Sequence, residues 1–466
     1  MTDLKLSDSQ FPDIQGLILN TYKMPLVRHF VLQIINSADA AKDFIGNLVN
    51  GNSASSLQIT TASSSNIKPD YCLNIGFTYE GLKALKLRDD SLSSFPKEFI
   101  QGSAARAEKV GDTGASAPEN WKGKLGTPEA HILLTLFAQS SHVLESVTMT
   151  LRALFTQQNA LTELSHHDGN ALPDGRTHFG FKDGFSQPTI EGGPPPDFAS
   201  PLPPAPAGEF LLGYPSQHPG FTFPIPTPHE LGFNGSFVAF RILQQDVDGF
   251  EKFLQENASK IGMSVEKLAA KVCGRWRNGV PLVLSPETDE PQIPIAPNQM
   301  NNFDYVSSSD DRHNFDDKRG DRCPIGAHIR RTNPRSEKVA GNGGHLHRLV
   351  RRGLSYGPPY DPAVPNDDIE RGTLGMFICV SLLDQFEFIM TQWVNDGIFT
   401  AGLDRTKDPM IGNNTPEESK FVIPTEEGAK TIKGFSQFVT TRGGAYCFLP
   451  SITALKYIAS LQSVLI

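Results

Sequence analysis

The sequence predicts an α+β protein made of two ferredoxin-like domains, each an antiparallel sheet with helices packed on it. Three observations carry that expectation. A strand-length apolar run followed by a run with helical periodicity occurs four times along the chain. A proline-rich stretch divides these pairs two and two. The 466 residues suffice for two ordinary domains with large cores. Two strand–helix pairs per half are what a duplicated ferredoxin-like unit requires.

The first pair opens with a β-rich run over residues 29–35. It turns at Asn36 and Ser37 into a helix over 38–49 with Phe44 and Leu48 on one face. The second strand, 131–138, leads to a helix over 141–155, where Val143, Val147, Leu151 and Leu154 recur at helical spacing. The third strand spans 236–243 and precedes a helix over 246–257 carrying Val247, Phe250 and Leu254. The fourth spans 375–382, followed by a helix over 384–394 with Phe388 and Trp393. Between the second and third pairs, six prolines fall within residues 194–204. That density excludes a helix or a central strand, so the boundary is set there. Residues 1–208 form an N-terminal domain and 209–466 a C-terminal one. The segment 298–320, rich in Asn, Asp and Ser, reads as an exposed loop.

Composition narrows the function classes. A net charge of −9 argues against a nucleic-acid binder, which normally shows a basic face, and mildly favours neutral or cationic substrates. The five cysteines, at 72, 273, 323, 379 and 447, are odd in number and scattered, a poor disulfide framework. Cys379 and Cys447 lie in apolar runs and read as buried thiols. No run reaches the roughly 18 consecutive apolar residues of a membrane helix. The first residues show no basic region followed by an apolar core. The chain therefore reads as intracellular, or as secreted with a leader already trimmed.

Three segments carry chemistry. Gly180 to Pro188 reads Gly-Phe-Lys-Asp-Gly-Phe-Ser-Gln-Pro and places Asp183 between two glycines and beside Phe181 and Phe185. The glycines permit a tight loop. A carboxylate among aromatic rings is a candidate proton-transfer group, because burial disfavours its charged form. Alone, Asp-Gly more often marks a solvated turn. The second segment contains His328 after Gly326 and Ala327, followed by Arg330, Arg331 and Arg335. The small residues leave room for a flat ligand. An imidazole among guanidiniums is unlike a zinc site. It suits a haem iron with one axial histidine and arginines for the propionates, although a lone histidine is more often structural. The third offers Arg351 and Arg352 before Gly353, alone a basic surface turn.

Together these segments resemble the dye-decolorizing (DyP-type) haem peroxidases, in the long subgroup typical of fungi. The distal motif is matched by Gly180, Asp183, Gly184, Ser186, Gln187 and Pro188. The proximal one is matched by His328, Ile329, Arg330, Asn333, Pro334 and Arg335. The distal arginine motif is matched by Arg351, Gly353, Tyr356, Gly357 and Pro358. Weaker matches at Asp13 to Gly16 and Arg442 to Pro450 extend the resemblance over nearly the whole chain.

The resemblance implies a peroxidase that uses H2O2 to oxidise dyes, phenols and other aromatic compounds. The oxidation would proceed in one-electron steps through an oxoferryl intermediate. The implied cofactor is haem b (iron protoporphyrin IX), bound in the C-terminal half and non-covalently, since no Cys-x-x-Cys-His is present. The implied partners are H2O2 and aromatic reductants, with no nucleic acid and no membrane; a homo-dimer is compatible with it. Asp183 would be the acid–base and Arg351 the charge stabiliser, because a guanidinium stays protonated. His328 would hold the iron, with Asp408 (rival Asp404) accepting from its other ring nitrogen. Arg335 and Arg330 would contact the cofactor, and Phe377 would line the distal side.

The segment from Leu374 to Ile378 departs from the family pattern at Gly375 and Met376. These are expected to change the distal lining and to expose an oxidisable thioether. Tyr356 and Trp393 are the candidates for surface electron transfer, Trp393 also lying on a core face. His166, His167, Asp168, His345 and His347 read as surface loops, with His345 near the haem edge. A haem-handling protein would need His328 but not the Asp183 and Arg351 pair.

Overall fold

Eight strands close into one barrel in the computed structural model. It describes residues 4–461 apart from 52–56, 64–67, 158, 307–315, 337, 340–341, 398–399, 401–402 and 404–405. In chain order the strands are β1 (Leu26–Ile34), β2 (Tyr71–Phe77), β3 (Ile132–Ala138), β4 (Leu161–Asn170), β5 (Ser236–Gln245), β6 (Val350–Tyr356), β7 (Gly372–Cys379) and β8 (Val439–Leu449). Around the barrel they run β1-β3-β2-β8-β5-β7-β6-β4, and every pairing is antiparallel.

Opening the barrel at its two seams yields β4-β1-β3-β2 and β8-β5-β7-β6. Both sheets have the order fourth, first, third, second, so the ferredoxin-like unit is duplicated, as expected. The seams are thin. A single residue pair, Phe77 with Phe448, joins β2 to β8, and a single pair, Asn170 with Ser355, joins β4 to β6.

Strand alternation sorts the core. The ring of His29 on β1 lies 4.8 Å from that of Phe240 on β5, so this set faces the barrel interior. Phe30, on the opposite face of β1, meets Phe155 of helix α2 (Ser141–Gln157), which also packs on Phe44 of α1 (Ala38–Asn50). Each phenylalanine fully buried in this way stabilises the fold by about 1.5–3 kcal/mol. In the second half, α3 (Val247–Ala258) and α4 (Val265–Cys273) begin at Asp246 and Ser264, whose side chains accept N–H bonds from Gly249 and Lys267. The helix expected over 384–394 is wound as two π-helical segments, Leu382–Glu387 and Ile389–Val394.

Two loop expectations are corrected. His166, His167 and Asp168 lie in strand β4, not in a loop. The strand is polar because its side chains pair with charges: Arg28 of β1 donates to both Asp168 oxygens at 2.7 Å, and Arg152 of α2 holds Glu163. Within 298–320, Phe303, Tyr305 and Asp317 are buried. The two rings pack under guanidiniums, Arg335 lying 3.7 Å from the Phe303 ring centre and Arg330 4.4 Å from that of Tyr305. All five cysteines are free and buried. Among the described residues no helix is long and apolar enough to cross a membrane.

Candidate active site

The outward face of the second sheet forms one wall of a cavity of about 350 Å³, within the range of small-molecule sites. Alternation points Arg351 of β6 and Phe377 of β7 into it. Helix α5 (His328–Thr332) and the loop carrying Asp183 supply other walls.

The loop geometry follows from its glycines. Gly180 and Gly184 have φ of 83° and 91°, where side chains are strained. The Asp183 N–H donates to Gly175 O at 3.1 Å. Asp183 Oδ1 lies 3.7 Å from a terminal nitrogen of Arg351. Solvent reaches 57% of the Asp183 side chain, which lines both the cavity and an outer recess shared with Phe185, Arg351 and Phe377. Burial pushes the carboxyl pKa up; the Arg351 guanidinium, an N–H bond from Gly184 and the charges of His328 and Arg275 outweigh it. The net direction is downward, opposite to what burial alone suggests.

Gln187 donates through Nε2 to Arg351 O at 2.9 Å and accepts the Arg351 N–H on Oε1 at 3.1 Å. Its neighbour Ser186 donates to Asn301 Oδ1 at 2.7 Å, and the same oxygen accepts from Arg335 at 2.6 Å.

On α5, His328 Nδ1 bonds to Asp408 Oδ2 at 2.9 Å. The other Asp408 oxygen accepts from the Met410 and Ile411 N–H groups at 2.9 and 3.0 Å. Asp408 is fully buried. Burial pushes its carboxyl up, but the facing imidazole, the Ile411 N–H and Arg331 hold it below the ordinary range. Burial pushes the His328 pKa down, but the Asp408 carboxylate outweighs it and raises the pKa by stabilising the imidazolium. In the neutral ring the carboxylate keeps the proton on Nδ1 and leaves the Nε2 lone pair for a metal.

Among the described residues no three His, Cys, Asp or Glu side chains are grouped to hold a metal by themselves. A metal at His328 would therefore bring further donors of its own, as a porphyrin does. A second observation fits that group. Arg275 and Arg335 are buried beside the cavity, and among the described residues neither has a carboxylate partner. One terminal nitrogen of Arg275 is buried without any hydrogen bond. Burial brings Arg275 down to about 10 and Arg335 down as well. Two desolvated cations with spare donor capacity suit the propionates of a haem, and the apolar walls of Phe377, Phe386, Ile389 and Met390 suit its faces.

Of the residues singled out from sequence, Asp183, Arg351, His328, Arg335 and Phe377 line the cavity, and Asp408 lies behind His328. Arg330 does not line it. Its guanidinium is buried against Asp317 Oδ2 at 2.8 Å and the Asp317 and Cys323 carbonyls, a structural role. Met376 also lies elsewhere. It is one position from Phe377, so it faces the barrel interior beside Phe240 and Ile378; it is not part of the cavity wall and reaches only the outer recess shared with Asp183 and Arg351. Trp393 lines the cavity but is only 3% exposed, so it is not a surface residue. The ring of His347 covers it edge-on at 5.4 Å, and His347 stacks on Phe388 at 3.7 Å, which removes His347 from the surface loops too. Tyr356 is half-buried and donates to Glu370 Oε1 at 3.0 Å. Asp404 and the side chain of His345 lie outside the described residues. Arg275 and Asn301 were missed. Neither sits in a recognisable motif, and only the fold brings them to the cavity.

One cavity thus unites an imidazole prepared as a ligand with an ionised carboxylate and a guanidinium. Comparison with known proteins is consistent with that chemistry. A family model described as "DyP dimeric alpha+beta barrel domain" matches residues 13–173. Peroxidase 2 of Mycetinis scorodonius is 30% identical, over 95% of this chain and 86% of that protein. A dye-decolorizing peroxidase of Exidia glandulosa is also 30% identical, over 95% and 86%. The solved structure of a dye-decolorizing peroxidase complexed with 2,6-dimethoxyphenol superposes with a TM-score of 0.79 at 28% identity, covering 97% of this chain and 99% of that one.

Proposed function

The chain belongs to the dye-decolorizing peroxidase family, and on that premise we propose that Asp183 and Arg351 activate hydrogen peroxide beside a non-covalently held haem b ligated by His328. The protein is an oxidoreductase that uses peroxide to oxidise dyes and phenols. The haem, when bound, would supply an iron and a macrocycle able to store the two oxidising equivalents taken from peroxide and to pass them singly to the aromatic reductant.

The residues of the chain do the rest. Asp183 is the proton carrier. Held ionised by Arg351 and the Gly184 N–H, its carboxylate takes a proton from one peroxide oxygen and returns it to the other as that oxygen departs. Arg351 stays cationic and stabilises the negative charge that develops on the departing oxygen. Asp408 holds the proton of His328 on Nδ1, so that Nε2 is the metal ligand. Arg275 and Arg335 would pair with the haem carboxylates and thereby gain the charge partners they lack among the described residues. Both halves of the chain, divided in this proposal at 208/209, are needed: Asp183 comes from the first, and Arg351, His328 and Asp408 from the second.

The observation that carries this reading is the convergence of the His328–Asp408 pair and the Asp183–Arg351 pair on one cavity. The test is to reconstitute the protein with haemin and mix it with one equivalent of H2O2 in a stopped-flow spectrometer. The expected result is a Soret band that depends on His328 and falls rapidly with peroxide. A Soret band that forms normally but responds slowly would overturn it in favour of haem handling.

A further inference from the structure

We infer that Gln187 is a positioning residue for Arg351, because its carboxamide takes the place of a missing strand at the seam of the barrel. The inference rests on the role proposed above for Arg351.

Successive residues of a strand present their N–H and C=O groups to alternate sides. Arg351, Gly353 and Ser355 therefore face the same neighbour, β4. That neighbour pairs with β6 only at Asn170 with Ser355. Antiparallel continuation, one step forward on β4 for each step back on β6, would set residue 174 opposite Arg351. The chain does not continue so far. It turns away at Pro173–Gly175, with Asp174 at a φ of 58°. The main-chain groups of Arg351 are left without a strand, and a buried N–H or C=O without a partner is costly. Gln187 supplies one acceptor and one donor to that single residue, at 3.1 and 2.9 Å, the same pair a facing strand residue would supply; the carbonyl also accepts from Arg352 at 3.2 Å, whereas Gln187 serves both groups. The clamp is itself anchored, since Ser186 beside it is tied to Asn301.

The opposite seam contains a copy of the device. There Gln15, fully buried, accepts the Ile75 N–H on Oε1 at 2.9 Å and donates through Nε2 to Ile75 O at 2.8 Å. In register, Ile75 faces Pro450, which has no N–H to offer. Nε2 of Gln15 also reaches Pro450 O at 2.8 Å. The same side chain thus closes both seams. At one it holds an isoleucine; at the other it holds the residue whose guanidinium lies 3.7 Å from Asp183. The distal loop, through Gln187, sets the backbone from which the distal arginine projects.

The test uses haem-loaded protein and two readouts: the bimolecular rate with H2O2, and the dissociation constant of fluoride for the resting enzyme. Fluoride needs no turnover and senses whether a guanidinium is placed beside an anion at the iron. Gln187→Ala is expected to lower the peroxide rate about 10- to 100-fold, the scale of an ångström-sized misplacement, and to weaken fluoride in parallel. In an Arg351→Ala background the same change should add nothing. Gln187→Glu keeps the shape but sets an oxygen against Arg351 O, and should act in the same direction should the alanine variant fold poorly. Gln15→Ala is the control: a lower melting temperature with unchanged peroxide rate and fluoride constant. Wild-type values for both readouts in Gln187→Ala, or its full effect on top of Arg351→Ala, would overturn the clamp. Wild-type kinetics in Arg351→Ala alone would instead overturn the role of Arg351, and the clamp's purpose with it.

Discussion

Replacing Asp408 by asparagine tests how the imidazole is prepared for a metal. The fully buried carboxylate accepts three hydrogen bonds, from His328 Nδ1 and from the Met410 and Ile411 N–H groups. Asparagine keeps one oxygen for the two backbone donors and so leaves the turn intact. Its amide nitrogen then faces the His328 N–H, donor against donor. The ring must either lose that bond or move its proton to Nε2, the atom needed by the metal. A hydrogen bond to a charged acceptor is worth about 1.5–3 kcal/mol, and loss of such a partner typically lowers metal affinity about 10- to 100-fold. Alanine is the poorer test, because it also strands two backbone donors at a further cost of about 1–3 kcal/mol each. The assay is a haemin titration of the apoprotein followed at the Soret band, with circular dichroism as the check on folding. The expected result is a dissociation constant raised about 10- to 100-fold in a folded protein. Affinity within about twofold of wild type, against that expectation, would refute the claim that Asp408 prepares the ligand.

Four further outcomes follow from the geometry. Asp183→Asn removes a general base and should slow the peroxide step about 10²- to 10⁴-fold while the Soret band is retained; an unchanged rate would remove Asp183 from the reaction. In the wild type the ionised form is the active base and its pKa is lowered from the ordinary 3.8, so the peroxide step should stay level as pH falls to that value and decline only below it; stopped-flow rates showing a decline already near pH 5 would contradict this. Arg275→Met replaces a buried, unpaired cation by an apolar chain, so the apoprotein should melt higher while the upward shift on adding haemin shrinks; an unaltered gap between apo and haem-loaded melting temperatures would show that Arg275 does not sense the cofactor. Met376→Leu, a nearly volume-conserving change inside the barrel, should leave the number of turnovers before peroxide inactivation unaltered, and a longer-lived variant would mean that peroxide chemistry does reach Met376.

What could be read from the sequence was whatever is encoded locally. The four apolar strands β1, β3, β5 and β7 and their helices were legible because periodicity and burial agree there. β4 was not, since its side chains answer to charges on β1 and α2 that are distant in sequence, and a run such as Ser-His-His-Asp-Gly has the composition of a loop. The same locality explains the site. Asp183, His328 and Arg351 lie in compact motifs whose glycines and flanking residues set their own geometry. Arg330 sits in such a motif too, yet Asp317, thirteen residues upstream, claims it. Met376 was misplaced by reading a run of residues without the strand's alternation, which turns its side chain away from Phe377. Arg275 and Asn301 have no local signature, because their meaning arises only where α4, the 298–306 segment and the distal loop meet.

The placement of the distal pair at a seam has a physical logic. Within a continuous sheet the backbone of Arg351 would be sealed on both edges and the strand beside it would close the way in. Where β4 leaves early, the loop carrying Asp183 can fold over the gap and open an outer recess onto the same residues. The opening costs the main-chain partners of Arg351, and a neutral carboxamide restores them without bringing in a second backbone. It also adds no charge to compete with the Asp183–Arg351 pair. A charged side chain in place of Gln187 would satisfy at most one of the two main-chain groups and would shift the pKa of Asp183. Glutamine is the side chain of that length that offers one donor and one acceptor together, which is why the two seams, one at the site and one remote from it, are closed by the same residue type.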